Sequence, residues 1–225
     1  MGLIFLVKNK QFKTVSLLSS GVTMEFTEKR TLKILAALLL LAAIIQPIYT
    51  LLYQAAPEVN RQILWRLEAL IFVLMAAFAG AAMVTSDKSY ALGFSAIAFS
   101  TALNVTQVGI GLLQFGPFRA ASKASEALGP VAFSVVALSF FLYNAAKVLL
   151  GLAAIVFGLA LKKDGNSVLG LLAVITGVVA LVANALVMMF GIQGFVPRPL
   201  AGGSGVVATL FLALCLFGLA KKEST

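Results

Sequence analysis

The sequence predicts an all-α protein: a polytopic transmembrane bundle of six helices that carries the marks of repeated helical hairpins. Three observations predict it. Of 225 residues, 61% are hydrophobic and only 11% are charged, and the mean hydropathy of +1.04 exceeds what a soluble domain of this size tolerates. Six apolar stretches each approach the roughly 20 residues that cross a bilayer. The polar segments between them are short.

Residues 1–30 read as a cytoplasmic N-terminal segment, and 31–225 as the six-span domain. Within 1–23, Leu, Ile and Phe mix with Lys8, Lys10 and Lys13, which fits either a helix along the membrane surface or an unstructured leader before Met24. Gly2 opens no myristoylation signal, because position 6 is Leu. The first span, 33–53, follows Lys29, Arg30 and Lys33. It is retained rather than cleaved, since Ala55-Ala56 is flanked by Tyr53, Gln54 and Pro57. Gln46-Pro47 removes a backbone hydrogen bond there and predicts a bend.

The second span, 63–84, carries Glu68 three residues after Trp65, and pairs Ala76 with Gly80 at the spacing of a close helix contact. In the third span, 91–115, the residues Gly93, Ile97, Ser100, Asn104, Gln107, Gly111 and Gln114 recur with heptad spacing. That seam has to face protein or water. Residues 116–130 hold Phe118, Arg119, Lys123 and Glu126 between prolines and predict a short amphipathic helix on the bilayer.

The fourth stretch, 131–161, would run about 46 Å as one helix, against a hydrocarbon core of about 30 Å. It is expected to tilt, protrude or break near Tyr143-Asn144. Its seam of Ala137, Phe140, Asn144, Lys147, Gly151, Ala154 and Gly158 turns Lys147 into the bundle, and the two glycines invite a neighbouring helix. The fifth span, 168–191, contains Thr176, Gly177 and Asn184. Residues 193–205, rich in Gly and Pro, predict an irregular connection, and the sixth span, 205–220, carries Cys215 and ends in Lys221-Lys222.

The formal charge is +9, yet the basic residues lie in tails and loops, not on one soluble face, so nucleic acid is not the expected partner. Topology explains them. With the N-terminus inside, eleven basic residues fall on the cytoplasmic side and five on the other, with Lys147 inside a span; the bias predicts both termini in the cytoplasm. A single cysteine excludes a disulfide within the chain. The absence of His removes His-ligated haem, zinc and copper and all His-based acid–base chemistry. Seven of eight carboxylates lie in tails or loops, so no intramembrane cluster holds magnesium or calcium. No cofactor, no metal and no enzymatic activity are expected.

Residues 157–164 (Phe-Gly-Leu-Ala-Leu-Lys-Lys-Asp) nearly match 217–223 (Phe-Gly-Leu-Ala-Lys-Lys-Glu). The spans before them share Asn104 and Asn184, each followed by Gly-Ile and an aromatic, Pro and Arg. This predicts a duplicated hairpin in parallel orientation, with the first two spans as a diverged third copy. The helix–turn–helix 158–177, with its Ala-Leu-Lys-Lys end and Gly-rich restart, resembles uncharacterised six-span bacterial inner-membrane proteins. The resemblance covers that segment alone; it implies a bacterial inner-membrane location and no activity.

Counting helical rise from the cytoplasmic ends puts Gln46, Asn104 and Lys147 about 20 Å up, with Tyr143 and Asn144 at similar height, and Glu68, Gln107 and Asn184 near 24 Å. All lie in the outer half of the core. Ionisable groups at such depth are functional suspects; an ion pair between Glu68 and Lys147 is one way to satisfy both, while the amides also serve as interhelical glue. The layer predicts a non-catalytic membrane protein that binds a lipid-like or small polar ligand or a partner subunit. The alternative is a small-solute or proton-coupled transporter with Glu68 as proton carrier. Expected partners are membrane lipids, other membrane subunits or a second copy of the chain.

Overall fold

In hydrocarbon each backbone N–H and C=O has to be bonded within the segment, which leaves helices as the way for these apolar stretches to cross. The computed structural model describes residues 27–56, 59–86, 88–191 and 194–222. Among them are seven α-helices: α1 (Glu28–Ala55), α2 (Gln62–Thr85), α3 (Lys88–Leu113), α4 (Phe115–Ala124), α5 (Gly129–Lys163), α6 (Ser167–Phe190) and α7 (Arg198–Lys222), with a 3-10 turn, Glu126–Leu128, before α5. All except α4 are long and apolar enough to span a membrane. The chain is a multi-pass membrane protein. The surface-anchor reading of residues 1–23 lies outside the described residues.

Six spans return the chain to the face it started from. The start of α1, the end of α7 and the α2–α3 and α5–α6 turns share one face, called here the terminal face; α4 marks the other. The helices close a ring: α1 packs on α2, α2 on α3, α3 on α5, α5 on α7, and α7 back on α1. Among the described residues α6 packs only on α5 and α7, which puts it outside the ring. The two hairpins that look alike in sequence therefore occupy different places, since α3 is a ring member and α6 is not.

The terminal half of the ring is filled with apolar side chains. Leu39, Met75, Ile97, Leu150, Phe157 and Leu216 are fully buried in one continuous core. Gly93 has no room for a Cβ beside the Phe157 ring, so α3 and α5 close tightly there.

The α5–α6 contact is backbone on backbone. A Cβ at Gly151 would lie 2.7 Å from the Gly177 carbonyl oxygen, and one at Gly158 would lie 2.8 Å from that of Gly170. Two glycines one heptad apart on each helix thus fix the antiparallel register, as the seam on the fourth span predicts. The short turn that allows it ends α5 with Gly165 at φ 96°, where its N–H donates to the Lys162 carbonyl and that of Asn166 to Leu161, a left-handed cap suited to Gly.

Of the outcomes expected for the fourth stretch, a break is excluded: α5 is unbroken through Tyr143-Asn144 and has 35 residues, about 52 Å at the usual rise, and packs on α3, α4, α6 and α7. α1 stays helical through Pro47. Two expectations are corrected. α7 begins at Arg198, not near 205: Gly202 and Gly205 lie against Tyr143 and Lys147 of α5, so tertiary packing outweighs the weak helix propensity of glycine. Gly80 has nothing within 4 Å of a built Cβ, so Ala76 and Gly80 form no close contact; α2 buries the neighbouring stripe of Phe72, Met75, Ala79 and Ala82. Residues 116–130 do form a short helix, α4, with Phe115 and Phe118 half-buried and Arg119 and Lys123 exposed.

The glycine contacts carry a direct test. Gly158→Ala is expected to lower the thermal unfolding midpoint in detergent, although Ala ordinarily improves a helix by up to about 1 kcal/mol; Gly80→Ala, with free space, is expected to hold or raise it. Equal effects at the two sites would contradict the backbone contact.

Candidate functional site

The stripe that buries α2 in the core runs Glu68, Ile71, Phe72, Met75, Ala79, Ala82. Glu68 is its end nearest α4 and is only 3% exposed. It does not reach the headgroups beside Trp65 and Arg66. On α5 the same logic buries Lys147, also 3% exposed. On α3 it buries Ser100 and Asn104. Gln46 of α1 is half-buried one position before Pro47.

Among the described residues α5 makes no close backbone approach to α1 or α2, so Lys147 has to cross the middle of the ring. Side chains on a helix lean toward its N-terminus, and that of α5 lies at the α4 face. Lys147 extends in that direction and its Nζ donates to Gln46 Oε1 at 2.8 Å. The Nζ also sits 5.3 Å from the centre of the Tyr143 ring. Its stem lies on Gly205 of α7, where a Cβ would come within 2.7 Å of Lys147 Cδ. One lysine thus joins α1, α5 and α7.

Glu68 does not take Lys147. The two charges lie close enough to act on each other, but Glu68 Oε1 is buried with no hydrogen-bond partner among the described residues. Asn104 repeats the pattern: its Nδ2 donates to Ser100 Oγ at 3.5 Å, Ser100 Oγ donates to the Ala146 carbonyl at 2.9 Å, and Asn104 Oδ1 is left unpartnered. The ring interior therefore combines one ammonium, one carboxylate and an amide, with acceptor oxygens in excess. A buried unsatisfied polar atom costs about 1–3 kcal/mol, more when charged.

The remaining predicted residues divide. Gln107 Nε2 donates to Ser139 Oγ at 3.2 Å, which ties α3 to α5 and is the glue that amides supply between membrane helices. Asn184 Nδ2 donates to the Ala180 carbonyl at 2.7 Å and, across to α7, to that of Ala201 at 3.1 Å. Asn144 Nδ2 donates to the Phe140 carbonyl of its own helix at 2.6 Å. Gln46, Glu68, Asn104, Tyr143 and Lys147 gather inside the ring, whereas Asn144 and Asn184 lie on the α6 side of α5.

Toward α4 the polar interior is roofed by aromatics. Tyr49 stacks on Trp65 at 4.9 Å, and Trp65 meets Phe115 edge-on at 5.9 Å. Gly111 lets Trp65 lie flat on α3, since a Cβ there would be 2.7 Å from its ring. Arg61 lies over the rings of Tyr53 and Tyr49 and donates to the Ala56 and Leu52 carbonyls at 3.1 and 3.4 Å, capping the end of α1. Sequence reasoning missed this roof. Tyr and Trp near span ends look like an ordinary interface belt, and no local signal pairs Trp65 with Gly111. The contacts of Gly205 and Ser139 were missed for the same reason, while Ser100 lies on the seam that the third span predicts.

The Lys147–Gln46 bond has a measurable signature. Gln46→Leu is expected to cost about 2 kcal/mol of stability, the usual worth of a hydrogen bond to a charged group, because it strands the ammonium. Adding Lys147→Met should recover most of that loss, since removing both partners is far milder than removing one. A double variant as unstable as, or less stable than, Gln46→Leu in detergent unfolding would argue that the bond does not carry the layer.

The chain matches no family model, no curated protein and no solved structure, so the reading of this site rests on its own geometry.

Proposed function

We propose that this multi-pass membrane protein is non-catalytic and binds a small polar molecule with hydrogen-bond donors inside the helix ring. The observation that carries the reading is the unpartnered Glu68 Oε1, with Asn104 Oδ1 likewise unpartnered and Lys147 held to Gln46 instead of neutralising the carboxylate. An ionisable group kept at membrane depth without its obvious partner is a poor structural device and a good ligand anchor. Glu68 and Asn104 accept, Lys147 donates through its remaining N–H groups, and Tyr143 lines the lysine. Catalysis is not proposed, because the chain lacks His and the layer offers no nucleophile with an adjacent base.

Transport is the competing reading, and one observation weighs against it. A route to the terminal face would pass Leu39, Met75, Ile97, Leu150 and Phe157, all buried in the apolar core. The small residues in that half of the fourth and fifth spans, Gly151, Gly158 and Gly177, hold α6 to the outside of the ring and line no such route. Binding therefore takes precedence over conduction. We further propose that the protein resides in a bacterial inner membrane with the terminal face in the cytoplasm, on the strength of the basic residues there.

Thermal unfolding in nanodiscs against a panel of amines, zwitterions and polyols tests the binding reading. A true ligand at a hundred times its Kd stabilises by about 2.7 kcal/mol, and at least one class is expected to do so with the native protein and not with Glu68→Leu. A panel whose effects are the same in both proteins would sink the proposal, and solute flux into proteoliposomes that is lost in Glu68→Gln would replace it with transport. For orientation, Lys123→Cys is expected to react with an impermeant maleimide in intact cells and Lys163→Cys only after permeabilisation. Cys215 is buried and should stay silent; the reverse pattern of labelling would invert the topology.

A further inference from the structure

The register of α5 on α6 extends beyond the glycines. Gly158 meets Gly170 and Gly151 meets Gly177; one heptad further along, the same register sets Asn144 opposite Asn184, and the next sets Ala137 opposite Gly191. At Gly191 a built Cβ meets nothing within 4 Å. A groove of about 300 Å³ opens between the two helices, lined by Ala137, Leu138, Phe141 and Asn144 of α5 and by Val187, Met188 and Gly191 at the end of α6. That volume is at the lower end of the range for small-molecule sites, roughly 300–1,000 Å³.

Its walls are apolar, and Leu138 and Phe141 are half exposed on a membrane-spanning helix, so the groove opens sideways into the bilayer. Its foot is polar and one-sided. Asn144 lines the groove, is 2% exposed, and has its amide nitrogen committed to the Phe140 carbonyl. The orientation of the Asn144 amide is dictated by the carbonyl it faces, since only the nitrogen can donate to it. Asn184, on the same face of α6 as Val187, Met188 and Gly191, is fully enclosed behind the lining, with its nitrogen committed to Ala180 and Ala201. The foot thus presents the Asn144 amide oxygen and no donor.

We infer that the α5–α6 groove is a second binding site, separate from the Glu68–Lys147 layer, for a membrane-dissolved single-chain alcohol: the chain lies between Phe141 and Val187 and the hydroxyl donates to the Asn144 oxygen. A plain acyl chain fills the walls and leaves the foot unsatisfied. A carboxylate or phosphate head brings acceptors to acceptors. A hydroxyl supplies the missing proton without bringing charge into hydrocarbon.

The test uses the full chain in nanodiscs and a long-chain primary alcohol carrying a mid-chain diazirine, with crosslinks mapped by mass spectrometry. Labelling is expected on α5 around Phe141 and on α6 around Val187. Unlabelled alcohol should compete about tenfold better than its methyl ether, the discrimination one hydrogen bond confers. Ala137→Trp should abolish the labelling, and Asn144→Leu should erase the preference for alcohol over ether. Labelling elsewhere, or equal competition by alcohol and ether, would overturn the assignment. Because the alcohol–ether comparison is made on the native protein, it decides the question even where a variant fails to fold.

Discussion

A charge carried into hydrocarbon has to be answered from within the protein, and Lys147 is where that demand shapes the rest of the structure. Its ammonium lies in the middle of a helix ring in which, among the described residues, α5 and α1 make no close backbone approach. The bond to Gln46 Oε1 links them across that middle. For the stem to make the crossing, α7 has to present a glycine at 205. Gln46 stands just before Pro47, and because α1 continues past it Tyr49 lies about one turn further on and stacks against Trp65. The lysine, the glycine at 205 and Gln46 thus form one contact set, with the aromatic roof next to it.

Lys147 being held by a neutral amide leaves Glu68 with its burial uncompensated. Nearby opposite charges in a low-dielectric interior ordinarily pair, although such pairs often only break even after desolvation. Here the lysine is satisfied elsewhere and the carboxylate oxygen is not. A fold that keeps an unanswered acceptor on the stripe that packs its core has retained something packing alone would remove, and this is the physical basis for reading the layer as a binding site.

α5 is the hub that keeps the two halves of the molecule distinct. One side faces the ring with Lys147, Leu150 and Phe157; another meets α6 through Gly151 and Gly158. Where glycine faces glycine the helices touch, and toward α4 a groove opens beside Asn144. The terminal half of the ring is closed by large apolar side chains, which separates the polar layer from the terminal face.

Much of this was written in the sequence. Apolar length and helical period are local properties, and they alone predict six spans, the buried face of α5, the glycines that admit α6, the short helix α4 and the shared depth of Gln46, Glu68, Asn104 and Lys147. The weak points were also local: the stretch before 205, with Pro199, Gly202, Gly203 and Ser204, read as a loop, and Ala76 with Gly80 read as a contact. Only the tertiary structure decided that the first of these is the opening of α7, that the second touches nothing, that α6 stands outside a ring of five, and that Lys147 takes Gln46 and leaves Glu68 alone. The reason is physical: period and length determine which way a side chain points and how deep it lies, but its partner is set by which helices become neighbours, and that depends on backbone contacts such as Gly151 against Gly177 and on glycines such as 111 and 205 that no single helix specifies.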